Sequence, residues 1–208
     1  MPPYATPEGL DPPNRVRAPD DWLARLQPGN GFILLLICLT IFLVPALTLP
    51  LTRGEAFYAL VPYEMLAKGN WIAITLNGAP FLDKPHLLFW LNLIAFKVWG
   101  VSGWAARLPT LALTLGEIWM TFRLGCLLLS PRAAWLGGFI LLSSAGFFYL
   151  HLQLFADHLI TLPLILALYF MLRWLKEPRL SWGCLFHLSL GIGFLGKGLI
   201  GLGFPLLI

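Results

Sequence analysis

Charge is what this sequence has least of. Only 12% of its 208 residues are Asp, Glu, Lys or Arg, 58% are hydrophobic, and the mean hydropathy is +0.78. A soluble domain carries about 25% charged and about 45–50% apolar residues. Because so few charges cannot cover a water-exposed surface, the composition excludes a cytosolic enzyme, a secreted disulfide-rich domain and a disordered chain. We therefore predict an integral membrane protein.

Cysteine is also scarce, and the basic residues are dispersed. Cys38, Cys126 and Cys184 each lie inside an apolar run, without CxxC spacing. They are expected to be buried thiols rather than a disulfide or metal framework. The net charge is +4, but the 14 Lys and Arg residues form no basic patch. Membrane lipids are therefore the expected surroundings, and no nucleic-acid partner is predicted.

The first 30 residues differ in composition from the rest of the chain. They contain seven of the 17 prolines and cannot form a packed core. Residues 31–50 follow as an uncharged apolar run, which as a helix is about 30 Å long and crosses the hydrocarbon core of a bilayer. We predict a flexible cytoplasmic tail over 1–30 and a transmembrane domain from residue 31.

Residues 51–85 are the long polar stretch after the tail. Within them, 55–68 is predicted as a short surface helix that Gly69 ends, and Asn77 to Pro80 as a turn. The next segment, 86–99, is apolar but only about 21 Å long as a helix, short of the roughly 30 Å core. It either spans the bilayer poorly or lies at the interface.

The positions of Lys and Arg distinguish these two topologies, because short cytoplasmic loops are enriched in both residues. With the N-terminus inside and 86–99 at the interface, 8 of the 14 lie on the cytoplasmic side; with 86–99 spanning, 6 do. We therefore predict an all-α, multi-pass transmembrane helix bundle with an extracytoplasmic loop, 51–104, that contains two interfacial helices. Further spans are expected at the apolar runs 105–129, 133–150, 157–175 and 182–196.

A last apolar run begins at Leu199 and stops after ten residues. Ten helical residues reach only about 15 Å. We therefore expect 31–208 to be the N-terminal portion of a larger transmembrane domain, truncated within its last span.

The predicted topology places several ionisable residues on the extracytoplasmic side. Three of them also have ordinary structural interpretations: Glu55 as a carboxylate at a helix N-terminus, Asp157 as a helix cap, and Lys197 as a snorkelling cation. Glu117 and His187 lie within predicted spans, where we expect Glu117 to hydrogen-bond a neighbouring helix and His187 to be packed. The extracytoplasmic set is Glu55, Asp83, Lys84, His86, His151, Asp157, His158 and Lys197.

Several short motifs occur in a specific order along the chain. They are GEAFYA at 54–59, EMLAKGNW at 64–71, DKP at 83–85, ARLP at 106–109, ADHL at 156–159 and GKG at 196–198. Each is weak by itself. As an ordered set over about residues 45–205, they resemble bacterial GT-C glycosyltransferases of the aminoarabinose-transferase and protein-mannosyltransferase type.

The resemblance implies a membrane glycosyltransferase. Such an enzyme transfers a sugar, with inversion, from a polyprenyl-phosphate carrier to a lipid, glycan or protein hydroxyl. It acts on the extracytoplasmic face of the plasma (bacterial inner) membrane. The acceptor hydroxyl requires a carboxylate as base, and the departing phosphate requires a cation or a metal ion.

The resemblance also implies roles for particular residues. In the family a loop Asp-Glu pair supplies the base, and here Gly54 replaces the first acid and leaves Glu55. His151 and His158 are weak candidates for binding a divalent cation, since their spacing fits no standard site. The implied catalytic residues are Glu55 and Asp157, and the implied substrate-binding residues are Asp83, Lys84, His86 and Lys197.

Two other functions fit parts of the sequence. The missing acid at position 54 and the short chain favour a catalytically inactive relative that acts as a membrane binding or assembly subunit. Glu117 and His187, inside predicted spans, favour a small transporter. No inverted repeat supports a transporter, and the ordered loop motifs favour the glycosyltransferase or its N-terminal part.

Overall fold

The computed structural model of the protein describes residues 33, 37, 40–42, 44, 45, 48–151 and 153–207, with the side chains of 148, 150, 151 and 204–207 left out. The predicted tail, 1–30, and most of the predicted first span lie outside these residues. The described chain is mainly helical, with two strands of two residues each, which confirms the all-α prediction. Its elements are α1 (Arg53–Lys68), β1 (Thr75–Leu76), β2 (Ala79–Pro80), α2 (Leu87–Trp99), α3 (Gly103–Leu128), α4 (Pro131–Ser143), α5 (Ala145–His151), α6 (His158–Lys176), α7 (Leu180–Lys197) and α8 (Leu199–Leu207).

Two helices in the described part of the chain are long and apolar enough to cross a membrane. They are α3, with 26 residues, and α6, with 19, so that they measure about 39 Å and about 28 Å. The two helices pack against each other, α4 packs on α3, and α7 packs along α6. Helices α3, α6 and α7 begin and end within two residues of three predicted apolar runs.

The remaining predicted run, 133–150, is not one helix. Helix α4 ends at Ser143, and Ser144 has an extended backbone with ψ 119° before α5 begins. The Ser143 hydroxyl donates to the carbonyl of Ile140 over 3.0 Å, a local bond that competes with helical pairing. The apolar side chains continue through the break, so the hydrophobic pattern did not reveal it.

Helix α1 begins at a capping box. The Thr52 hydroxyl accepts a hydrogen bond from the backbone N–H of Glu55, and the Glu55 carboxylate accepts one from the N–H of Thr52. The two bonds satisfy donors that a helix start otherwise leaves unpaired. The helix ends where predicted, at Gly69, whose φ of 63° is left-handed. The loop helix is thus fixed at both ends by local chemistry.

The predicted turn is a two-residue hairpin loop. Asn77 and Gly78 have φ of 52° and 79°, as the type I′ turns that connect β-hairpins require. The carboxylate of Glu64 accepts hydrogen bonds from the Thr75 hydroxyl, the Gly78 N–H and the Lys68 amine. The bond from Thr75 contributes most to lowering the pKa of Glu64 below its usual value. Glu64 therefore holds the hairpin against α1.

The short helix α2 lies between α1 and α3. Leu88, Phe89 and Leu93 on its inner face are buried, whereas Ile94 and Val98 on its outer face are exposed. At 13 residues it is about 20 Å long, shorter than the hydrocarbon core. Its position in the bilayer remains a prediction. The DKP segment precedes the N-terminus of α2 and lies next to the end of α7.

Candidate functional site

Glu55 lies in a buried ion pair that joins the loop to the start of α3. The Nε and Nη2 atoms of Arg107 donate to the two Glu55 carboxylate oxygens over 2.7 Å and 2.8 Å. Arg107 also donates to the carbonyls of Leu49 and Pro50. Both charged side chains are buried. The pair therefore attaches α1 and the chain before it to α3.

Four hydrogen bonds converge on the Glu55 carboxylate. Besides the two from Arg107, the N–H of Thr52 donates to Oε2 and the N–H of Leu154 to Oε1. Burial by itself raises the pKa of Glu55, but the bonds from Arg107 and Thr52 outweigh it and leave the pKa below its usual value. Because a carboxylate has about four acceptor positions, Glu55 is bound as a structural anion, which is not the environment of a free base.

All four predicted substrate-binding residues lie at one cavity. Its volume is about 410 Å³, and it forms where the DKP segment meets the end of α7. Lys84 Nζ lies 2.9 Å from an Asp83 carboxylate oxygen, and the His86 ring donates through Nε2 to the carbonyl of Ile72. The residues that line the cavity are Ile74, Phe81, Leu82, Asp83, Lys84, Pro85, His86, Lys197 and Gly198.

Asp157 connects the start of α6 to this cavity through Lys197. The two side chains form an ion pair between residues 40 positions apart. Asp157 precedes α6 but makes no capping hydrogen bond with its side chain, so the structure does not bear out the cap interpretation. The carboxylate is 55% exposed, which distinguishes it from the buried Glu55.

Each of the two lysines of the cavity is paired with a neighbouring carboxylate, Lys84 with Asp83 and Lys197 with Asp157. The hydrogen bond to Asp83 raises the pKa of Lys84 most, burial opposes it, and the charge of Asp157 also raises it. Asp157 is therefore close enough to act electrostatically on Lys84 as well as to bind Lys197. The DKP segment, the ADHL segment and the GKG segment, remote in sequence, meet at one place.

An apolar groove continues from the cavity. It has a volume of about 210 Å³, and Pro85, His86 and Gly198 line both spaces. Its other walls are Leu87 and Trp90 of α2 and Phe194 and Leu195 of α7. The site thus has a charged end, which carries Asp83, Lys84 and Lys197, and an adjoining apolar end.

Of the three remaining histidines, two bond to other residues, and the side chain of the third is not described. His158 is buried, with Nδ1 3.3 Å from an oxygen of Glu117, so Glu117 does bond a neighbouring helix. His187 Nδ1 donates to the carbonyl of Gly183 in its own helix. Only the backbone of His151 is described. Among the described side chains, no three metal-ligating groups lie together.

Sequence reasoning missed the role of Arg107. This residue appeared only as part of the ARLP motif, whereas the structure buries it against Glu55. The signal was present, because an arginine at the start of an apolar helix is expected to have a partner. Tyr58 was missed as well: its ring lies beside Phe89 and Phe155, at the start of the loop that leads to the cavity.

The sequence profile described as dolichyl-phosphate-mannose-protein mannosyltransferase matches residues 83–208. Among curated proteins, the undecaprenyl phosphate-alpha-4-amino-4-deoxy-L-arabinose arabinosyl transferase 1 of Proteus mirabilis is 29% identical over 84% of this chain and 33% of its own length. The corresponding transferase of Aeromonas salmonicida is 30% identical over 83% of this chain and 33% of its own. The chain spans about a third of the length of these relatives.

Two solved structures have a similar fold. ArnT from Cupriavidus metallidurans bound to undecaprenyl phosphate superposes with a TM-score of 0.76 at 23% identity, over 84% of this chain and 34% of that one. The apo state of the same protein gives 0.76 at 25% identity, over 85% and 34%. The likeness shows that the described helices have the arrangement of a multi-pass GT-C membrane fold.

Proposed function

This chain belongs to the dolichyl-phosphate-mannose-protein mannosyltransferase family, and on that premise we propose that it forms part of a membrane glycosyltransferase. The donor is a sugar on a polyprenyl-phosphate carrier, and the acceptor is a hydroxyl of a lipid, glycan or protein. One observation carries the proposal: Lys84 and Lys197, 113 positions apart, line one cavity that continues into an apolar groove. An amphipathic phospholipid has the matching shape and charge.

The two lysines of the cavity suit the carrier phosphate. A phosphate that departs from a sugar develops negative charge, which fixed cations stabilise in the transition state. The ammonium of lysine acts here as a point charge, and the raised pKa of Lys84 keeps that charge in place. Asp83 and Asp157 hold the two amines.

The apolar groove suits the first prenyl units of the carrier. Leu87, Trp90, Phe194 and Leu195 present hydrocarbon and aromatic surface directly beside the cavity. Burial of apolar surface is worth about 25 cal/mol per Å², so even a short stretch of chain contributes to affinity. The names of the relatives contain undecaprenyl phosphate, and one relative was solved with it. We propose the same class of carrier for this protein.

The two predicted catalytic carboxylates take different roles in this proposal. Asp157 is half-exposed beside the cavity, so it is the group that can accept a proton from an acceptor hydroxyl. Glu55 is enclosed by four donors and acts as a positioning residue that holds the loop on α3. The site then faces the extracytoplasmic side of the inner membrane, with the N-terminus in the cytoplasm.

Carrier binding tests the proposal. The protein in nanodiscs is titrated with undecaprenyl phosphate and, as the neutral control, undecaprenol, with tryptophan fluorescence as the readout because Trp90 lines the groove. We expect Lys84→Ala and Lys197→Ala each to raise the Kd for the phosphate about tenfold, the effect of losing about 1.4 kcal/mol. Lys176→Ala is the matched control, since Lys176 ends α6 at the opposite end from Asp157.

The outcomes separate the candidate functions. Equal affinity for the phosphate and the alcohol, or an equal loss in Lys176→Ala, would contradict the carrier site. Transfer is measured with undecaprenyl phosphate-4-amino-4-deoxy-L-arabinose as the probe donor, and Asp157→Asn is expected to reduce kcat. Carrier binding that depends on both lysines, without transfer from any donor tried, would favour the inactive binding subunit.

A further inference from the structure

A buried pair of ionisable side chains lies behind the cavity. Glu117, within α3, and His158, the first residue of α6, are both buried, and Nδ1 of the ring lies 3.3 Å from a carboxylate oxygen. Neither residue lines the cavity. Ionisable groups within a membrane-spanning helix are costly and commonly have a function. Within the described part of the chain, α3 and α6 are the helices long and apolar enough to span the bilayer, and the pair joins these two helices.

The pair lies one residue from the site. Asp157, which precedes His158, reaches Lys197, and Leu159, which follows it, lies against Gly196: a Cβ added at Gly196 would be 2.5 Å from the Cβ of Leu159. Residues 157 and 159 therefore contact consecutive residues at the end of α7. His158 lies between them and faces the opposite way, towards α3. The start of α6 is held from two sides, by α3 and by α7.

We infer that Glu117 and His158 are positioning residues for the carrier-phosphate site. Their hydrogen bond sets the start of α6 against α3, which sets Asp157 and, through Asp157, the amine of Lys197 at the cavity. This inference rests on the proposed function. Neither residue touches the carrier, so the pair acts on affinity through the position of Lys197. The close packing of Leu159 on Gly196 transmits a displacement of α6, because there is no free space to absorb it.

The experiment compares variants that remove the hydrogen bond between Glu117 and His158 with variants that keep it. His158→Leu and Glu117→Leu are expected to raise the Kd for undecaprenyl phosphate about tenfold, within the range of coupled neighbours. His158→Asn and Glu117→Gln keep a donor and an acceptor and should bind within about threefold of wild type. Thr114→Ala is the matched control: Thr114 is buried in α3 near Glu117, but its hydroxyl bonds the carbonyl of Thr110 in the same helix.

A double-mutant cycle separates positioning from general structural damage. If His158 acts through Lys197, adding His158→Leu to Lys197→Ala should raise the Kd little further. Adding it to Lys84→Ala should raise the Kd by the same factor as in the single variant. The number of binding sites per protein should stay at the wild-type value, because a folding defect lowers the number of sites rather than their affinity. A full additional loss on top of Lys197→Ala, or equal weakening by His158→Asn and His158→Leu, would overturn the inference.

The inference and the proposed function fail in different ways. If wild type does not prefer undecaprenyl phosphate over undecaprenol, the carrier site itself is wrong. If wild type binds and Lys84→Ala weakens binding while His158→Leu does not, only the positioning role is wrong. Should the leucine variants not fold, Glu117→Asp decides, since it keeps the charge but withdraws the carboxylate by one methylene. A folded Glu117→Asp protein that binds like wild type refutes the positioning role.

Discussion

Replacing Glu55 with glutamine should destabilise the protein by about 4 kcal/mol although the side chain keeps its shape. Glu55 is buried and accepts two hydrogen bonds at each carboxylate oxygen: Oε1 from Arg107 and Leu154, Oε2 from Arg107 and Thr52. An amide has one oxygen and one nitrogen. Whichever way the new side chain is turned, its NH₂ group faces two donors and both of those bonds are lost.

The magnitude follows from this geometry. One lost bond comes from a charged donor, worth about 1.5–3 kcal/mol, and the other from a backbone N–H, worth about 1 kcal/mol. The buried guanidinium of Arg107 then has no counter-charge from position 55, and breaking one side of a buried pair costs about 3–5 kcal/mol. For a protein of this size, about 4 kcal/mol corresponds to a fall in Tm of roughly 10 °C.

Thermal unfolding in detergent, followed by circular dichroism, measures this effect. Glu177→Gln is the matched control, because Glu177 pairs with Arg173 and Arg179 at 3.8 Å and 3.5 Å but is 44% exposed. An exposed pair contributes about 0–1 kcal/mol, so the Tm of Glu177→Gln should differ little from that of wild type. Equal Tm values for Glu55→Gln and wild type would show that the carboxylate does not anchor the loop, and the reasoning would be refuted.

The same variant has a defined dependence on pH. The pKa of Glu55 is lowered from its ordinary value of 4.5 in the folded protein, so folding favours the ionised carboxylate. Its contribution is complete at pH values above 4.5 and is lost as the pH falls through the lower folded pKa. The difference in Tm between wild type and Glu55→Gln should therefore be constant near neutral pH and shrink below about pH 4.5.

Two further predictions concern helix packing and topology. Gly196→Ala should destabilise the protein by about 2 kcal/mol or more through overpacking, since its Cβ would meet Leu159 at 2.5 Å, whereas Gly191→Ala meets nothing within 4 Å and should leave the Tm unchanged or raised. For topology, Val101→Cys in a cysteine-free background should label with an impermeant thiol reagent from outside the cell and Leu129→Cys only after permeabilisation. The reverse pattern would mean that 86–99 spans the membrane.

Local features of the loop were predictable because each depends on a few neighbouring residues. Gly69 ends α1 in a left-handed conformation and the Asn77-Gly78 pair forms the hairpin turn, since both need only the backbone freedom of those residues. The bounds of α3 followed from the length of its apolar run. The break at Ser144 did not, because a local hydroxyl bond competes with the helix without changing the hydrophobic pattern.

The candidate site was predictable as a set of residues but not as an arrangement. The resemblance of the ordered motifs named Glu55 and Lys84 together, yet the structure gives them different surroundings, one enclosed by Arg107 and the other at the cavity. The distinction depends on which helix packs over each residue. No spacing along the chain contains that information, so the partner of Glu55 at position 107 was missed.

By itself, the sequence determined the class of the protein, because the number of charges and the length of apolar runs set the solvent in which a chain can fold. It also determined the local turns and caps. Only the tertiary structure decided which charges meet: Glu55 with Arg107, and Asp157 with Lys197, at separations of 52 and 40 residues. Such pairs form only when helices pack in one particular way, since a side chain reaches a few ångströms and the helices that carry it are tens of ångströms long.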